Sequence, residues 1–223
     1  SILSRPINLF DMKRIELIYQ QMKALHWWLT GPDDLPACAA LAQCPGTPEV
    51  IVACAENAYQ QLHGAGLGRG EHLQTAANLL PLAGISIDRA VSRYLALQLK
   101  LEEAIGAPLQ KSDYDAVAVL TFLDHPPERV VNNLVAVRKE LDLFQEDLLG
   151  SGNLLIATDL CFMDLVRFDQ DLLPLTEARQ HEALDHAIHA FHLASAVMVS
   201  QAEPPPPLVA PPYPSMGWPY APS

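Results

Sequence analysis

CPGTPEVIVACAENAYQQL occupies Cys44–Leu62, and LDHPPERVVNNLVAVRKEL occupies Leu123–Leu141. The second stretch begins 79 residues after the first. Each opens on a break, sets Pro and Glu at the first helical positions (Pro48-Glu49, Pro127-Glu128), and continues as an apolar stripe. Proline fixes φ where a helix has no need of its N–H, and an acid in the first turn faces the positive end of the helix dipole. Both stretches therefore read as helix starts. Aligned without a gap, residues 37–62 and 116–141 share Ala37/Ala116, Ala39/Ala118, Leu41/Leu120, Pro48/Pro127, Glu49/Glu128, Val52/Val131 and Leu62/Leu141. After three inserted residues, Gly70 matches Gly152 and Leu73 matches Leu155. The helix breaks coincide as well, which points to an internal repeat; the alternative is two unrelated helix hairpins of similar composition.

Working outward, the spacing predicts an all-α chain. A helix is expected over 4–29, with an apolar stripe (Ile7, Phe10, Ile15, Ile18, Tyr19, Met22, Leu25) that Asp11 and Arg14 interrupt. Ser4 or Asn8 would cap it, and His26, Trp27 and Trp28 make its bulky end. A short helix follows over 34–44, then helices over 47–63, 71–82 and 87–105. The cycle restarts with a short helix from Asp113 and helices from the PPER stretch to about Gln145, over GSGNLLIATDLCFMDLV, and over 176–200. The expected architecture is two stacked four-helix units, 34–106 and 113–202, in a single domain over 1–202. Stacking buries the face that one unit alone leaves bare. The last stretch, 203–223, is a Pro-rich tail (PPPPLVAPPYPSMGWPYAPS) that excludes helix and favours polyproline II. Its Tyr213, Met216, Trp218 and Tyr220 are candidate partner-binding residues, because aromatic side chains among prolines are docking elements.

Composition narrows the function. The chain has 223 residues, half of them hydrophobic, and a formal net charge of −12. An acidic chain without a basic cluster repels phosphate backbones and anionic lipids, so nucleic-acid partners are not expected. No apolar run reaches the length of a membrane span, and SILSRPINLF lacks a signal-peptide core, so a cytoplasmic location is the expectation. Cys38, Cys44, Cys54 and Cys161 form no CxxC pair and read as small core residues of a reducing compartment.

Few motifs carry chemistry. The last helix holds Glu182, Asp185, His186 and His189 at i,i+3 and i,i+4 spacing, a candidate divalent-metal face, although no Glu-x-x-His pair occurs. Arg69 stands in the Gly-rich turn GLGRGEHL before a helix, which suits an anion or a plain helix-to-helix turn. The chain has no GxSxG, HExxH or GxGxxG motif, and no cofactor is expected.

The stretches TGPDDLPACAALA, TPEVIVACAENAYQQL, GLGRGEHLQTAANLLPLAG and DAVAVLTFLDHPPERVV resemble, in this order, a bacterial family of helical proteins catalogued as a domain of unknown function. The resemblance covers about Thr30–Leu165 and implies a helical fold, with no catalytic residues to carry over. The sequence reading is thus a non-enzymatic interaction or scaffold protein, binding another protein or its own copies through its helical surface or tail. The alternatives are a metal-binding bundle using the last helix, or a small-molecule binder in an inter-helix pocket near Trp27, Trp28 and the Gly-rich turn.

Overall fold

The computed structural model describes residues 9–26, 29–144, 153–167 and 177–201. Among them the chain is all-α, with nine α-helices and no strand: α1 Leu9–Leu25, α2 Leu35–Leu41, α3 Pro48–Gly64, α4 Glu71–Leu79, α5 Ile87–Ile105, α6 Tyr114–Leu120, α7 Pro127–Phe144, α8 Asn153–Arg167 and α9 Glu177–Gln201. The expected N-terminal helix is shorter than its stripe suggested. It ends at Leu25, and both Leu29 and Thr30 donate their N–H to the His26 carbonyl, so the chain turns there. Residues 1–8, 27–28 and the tail lie outside the described residues, and so do the caps Ser4 and Asn8.

Local chemistry sets the starts. Thr47 is extended before Pro48, and Ser86 is extended before Ile87. The short helices α2 and α6 begin from matching turns. Asp34 Oδ2 accepts the Gly31 N–H at 2.8 Å, and Asp113 Oδ2 accepts the Gln110 N–H at 3.0 Å, 79 residues later. The starts of α2 and α6, and of α3 and α7, are also 79 residues apart. Helix α4 passes at Leu80 into a 3-10 turn, Leu80–Ala83, because Pro81 brings no N–H to continue the ladder. Gly84 (φ 71°) then ends the turn in the left-handed region.

The helices pack in two layers. One runs α1, α3, α5, α7, and the other α2, α4, α6, α8; each helix packs on the next of its own layer. The pairs α1–α2, α3–α4, α5–α6 and α7–α8 join the layers, so the array is a stack of helix hairpins. Helix α9 crosses the second layer and touches α2, α4, α6 and α8. Crowding by α9 and two neighbours leaves α4 buried from Leu73 to Leu79. Small side chains permit that approach: Ala76, Ala77, Ala116 and Ala118 are all buried in α4 and α6. A larger side chain at such a place costs about 1–3 kcal/mol.

The main core joins both layers around Tyr94, Leu97, Leu101, Leu120, Leu134 and Phe162. Tyr94 is fully buried, and its hydroxyl donates to the Tyr114 carbonyl at 3.3 Å. A smaller core under α1 holds Ile18, Met22, Cys38, Leu41, Ile51 and Val52. Arg14 clasps this edge from above. Its Nε donates to the Ala42 carbonyl at 2.9 Å, and its Nη2 to those of Cys44 and Gly46 at 2.8 Å each.

Candidate functional site

Three helices border a small, mostly apolar cavity with a few polar groups in the first half of the chain. The end of α1 supplies Met22, the position just after that helix supplies His26, α3 supplies Ala55 and Tyr59, and α4 supplies Gln74 and Asn78. The cavity is small, about 20 Å³, which is room for one oxygen-sized atom. Above it, between α1 and α3, lies an open groove of about 550 Å³ bordered by Gln21, Ala24, Glu49, Ala53 and Asn57. Leu25, Val52 and Glu56 wall both spaces.

His26 and Glu56 form the polar boundary. His26 Nε2 lies 2.6 Å from Glu56 Oε2, and Gln60 Nε2 donates to the other carboxylate oxygen at 2.6 Å. The imidazole is tilted by 50° over Tyr59, with ring centroids 4.8 Å apart. Deeper in, Gln74 Nε2 donates to Thr30 Oγ1 at 3.2 Å. Gln74 Oε1 and Asn78 Nδ2 are buried without a hydrogen-bond partner. Leaving such an atom unpaired costs about 1–3 kcal/mol, so the pair is a costly feature for a purely structural helix. Nearby, burial pushes the Asp34 carboxyl up, against the Gly31 N–H that lowers it.

The Gly-rich turn is used internally. His63 shares its Nδ1 hydrogen with the Leu67 carbonyl at 3.0 Å, which leaves Nε2 to accept from Arg69 Nε at 3.0 Å. The Arg69 carbonyl accepts from Lys111 Nζ at 3.1 Å, and the Gly68 N–H donates to the Tyr114 hydroxyl at 3.2 Å. A Cβ on Gly68 would stand 2.6 Å from Lys111 Cε, so the turn lies directly under the lysine stem. Of the two expectations for Arg69, these bonds fit the helix-to-helix turn.

The metal face is only partly within view. Asp185 and His189 are exposed on α9, while the side chains of Glu182 and His186 lie outside the described residues. Among the described residues no group of three or more His, Cys, Asp or Glu could hold a metal ion. Tyr213, Met216, Trp218 and Tyr220 lie outside the described residues. The four cysteines are free. Burial pushes the thiols of Cys38 and Cys161 up to about 12 and that of Cys44 up to about 11, which suits structural rather than nucleophilic thiols. No described helix is long and apolar enough to cross a membrane.

The sequence reading placed a pocket near Trp27, Trp28 and the Gly-rich turn. The cavity adjoins His26, just before that pair, but is built against α3 and α4. Gln74 and Asn78 were not singled out. Their signal was two amides at i,i+4 inside a helix of alanines and leucines, and it acquires meaning only once every face of α4 is covered.

A second open feature lies at the far end of the array. Leu155, Ile156, Leu160 and Met163 of α8 form a strip of large apolar side chains that are 37–49% exposed. Among the described residues, helix α6 has α4 and α8 as layer neighbours, whereas α8 has α6 on one side only.

Comparison with known proteins places the chain. A family described as a protein of unknown function (DUF4003) matches residues 8–170. The protein titled "Uncharacterized protein YeaA" of Bacillus subtilis (strain 168) is 26% identical over 117 residues, which are 51% of this chain and 34% of that protein. The chain therefore spans about a third of the length of the curated relative it matches. No solved structure matches it.

Proposed function

The chain belongs to the DUF4003 family, and from that footing we propose that it is a non-enzymatic interaction protein that assembles through the α8 end of its helical array. The observation that carries this reading is the strip Leu155, Ile156, Leu160, Met163. Stacked helical repeats end in units with a polar outer face, because a bare apolar end is insoluble. Here the end is apolar, and such a patch marks a contact surface. The proposed occupant is the same strip of a second copy. Two acids flank it: Asp159 is half-buried, with burial pushing its carboxyl up, and Asp164 accepts from Asn133 Nδ2 at 2.8 Å. Two such strips meet by two-fold symmetry, which sets the same surface on both copies.

In this reading the array is two copies of one four-helix unit, 34–106 and 113–202, stacked where α4 and α5 meet α6 and α7. The recurrence of the starts of α2/α6 and α3/α7 and of the Asp34 and Asp113 turns supports that reading, while the fourth helices differ, α5 lying in the first layer and α9 across the second. Tyr213, Met216, Trp218 and Tyr220 of the Pro-rich tail would add aromatic anchors to the same assembly. A cytoplasmic setting agrees with four free thiols. The test is the mass of the full chain by light scattering, with Ile156→Glu and Leu160→Glu beside it. The proposal expects an assembled wild type and monomeric variants. A wild-type monomer at every concentration overturns it.

A further inference from the structure

The first half of the chain carries polar groups that its frame does not require. At the positions where α3 places Ala55, Glu56 and Tyr59, α7 has Leu134, Val135 and Arg138, 79 residues later. Gln74 and Asn78 are each 4% exposed, line the same small cavity and leave one acceptor and one donor unmet there. They are one helical turn apart, which puts their Cβ atoms about 5–6 Å from each other. Both head groups thus belong to one stretch of the cavity wall.

We infer that this cavity takes the hydroxyl head of an apolar small molecule whose body lies in the groove between α1 and α3. A hydroxyl supplies the two things missing, an O–H for Gln74 Oε1 and a lone pair for Asn78 Nδ2. The space of about 20 Å³ admits that one atom and excludes a carboxylate. A carboxylate is further opposed by Glu49 and Glu56 in the groove above. An ammonium brings no acceptor for Asn78 and buries a charge. The groove offers Ala24, Leu25, Val52 and Ala53 to an alkyl or ring body. Leu25 and Val52 also wall the cavity, so head and body spaces are one side chain apart. Leu25 is 47% exposed, and joining them requires its side chain to swing aside. This inference is independent of assembly through α8.

Three probes with the same eight-carbon body decide the head group: 1-octanol, octanoate and octylamine, titrated into the full chain and followed by thermal shift. The inference expects a rise in melting temperature with 1-octanol, and at least tenfold weaker binding of the other two. The double substitution Gln74→Leu, Asn78→Leu should abolish the octanol response. Ala53→Trp, on the exposed face of α3, should do the same by filling the groove while leaving the core untouched; it decides alone if the double variant does not fold. An equal response to all three heads, an octanol response that survives these variants, or no wild-type response up to the solubility limit overturns the inference.

Discussion

Arg14→Ala tests how the edge of the array is held. In the wild type one guanidinium makes three hydrogen bonds of 2.8–2.9 Å to the carbonyls of Ala42, Cys44 and Gly46. Two of these bonds are part-buried and one is exposed. A hydrogen bond to a charged group contributes about 1.5–3 kcal/mol where water is excluded. The exposed bond adds little, because water replaces it. The other two are only partly shielded from water, so the expected loss falls below their full sum of about 3–6 kcal/mol, to about 2–4 kcal/mol. In a chain of this size that lowers the melting temperature by roughly 4–16 °C. Urea unfolding with an unchanged slope is the assay, so that a shift in midpoint reads as stability. Arg14→Lys should recover less than half, because a single ammonium cannot fork across three carbonyls. A loss below about 0.5 kcal/mol for Arg14→Ala, the range of an ordinary surface change, would mean that the apolar contacts of Ile18 and Met22 hold α1 alone, and it would refute the clasp.

Other substitutions follow from the same geometry. Gly106 closes α5 at φ 71°, so Gly106→Ala should cost about 1 kcal/mol by urea unfolding. Asp159 has its carboxyl pushed up by burial. The folded chain thus binds that proton more tightly than the unfolded one, and stability is lost as pH rises above the unfolded value of 3.8. Asp159→Asn should then stabilise the protein at pH 7 and make no difference at pH 3, as read by melting temperature. Cys38 and Cys161, with thiols pushed up to about 12, should resist a thiol reagent at pH 8 until urea unfolds the chain; labelling of either in the folded protein contradicts their burial.

The helix starts were legible because they are local chemistry. Thr47-Pro48-Glu49, Asp113 and Pro127-Glu128 fix φ, turn or dipole within a few residues, and α3, α6 and α7 begin where those residues place them. Ends were harder. Helix α1 stops at Leu25, short of the Gly31-Pro32 break that the sequence offers, in a turn closed by the His26 carbonyl. Arg14 looked like a flaw in an apolar stripe. It is the residue that reaches across to the turn after α2, a contact 28–32 residues away that no periodicity encodes. The same limit hid the cavity, whose donors come from α1, α3 and α4. The agreement of the two stretches was visible, but a linear comparison shows no more than that. That the helices alternate between two layers, with α9 across one of them, is a property of packing.

The mass of the full-length protein in solution, followed by light scattering over a concentration series, bears most directly on the assembly reading. An assembled species that Ile156→Glu and Leu160→Glu each convert to monomer is the predicted result. A wild type that stays monomeric throughout, with the same mass as both variants, would contradict it.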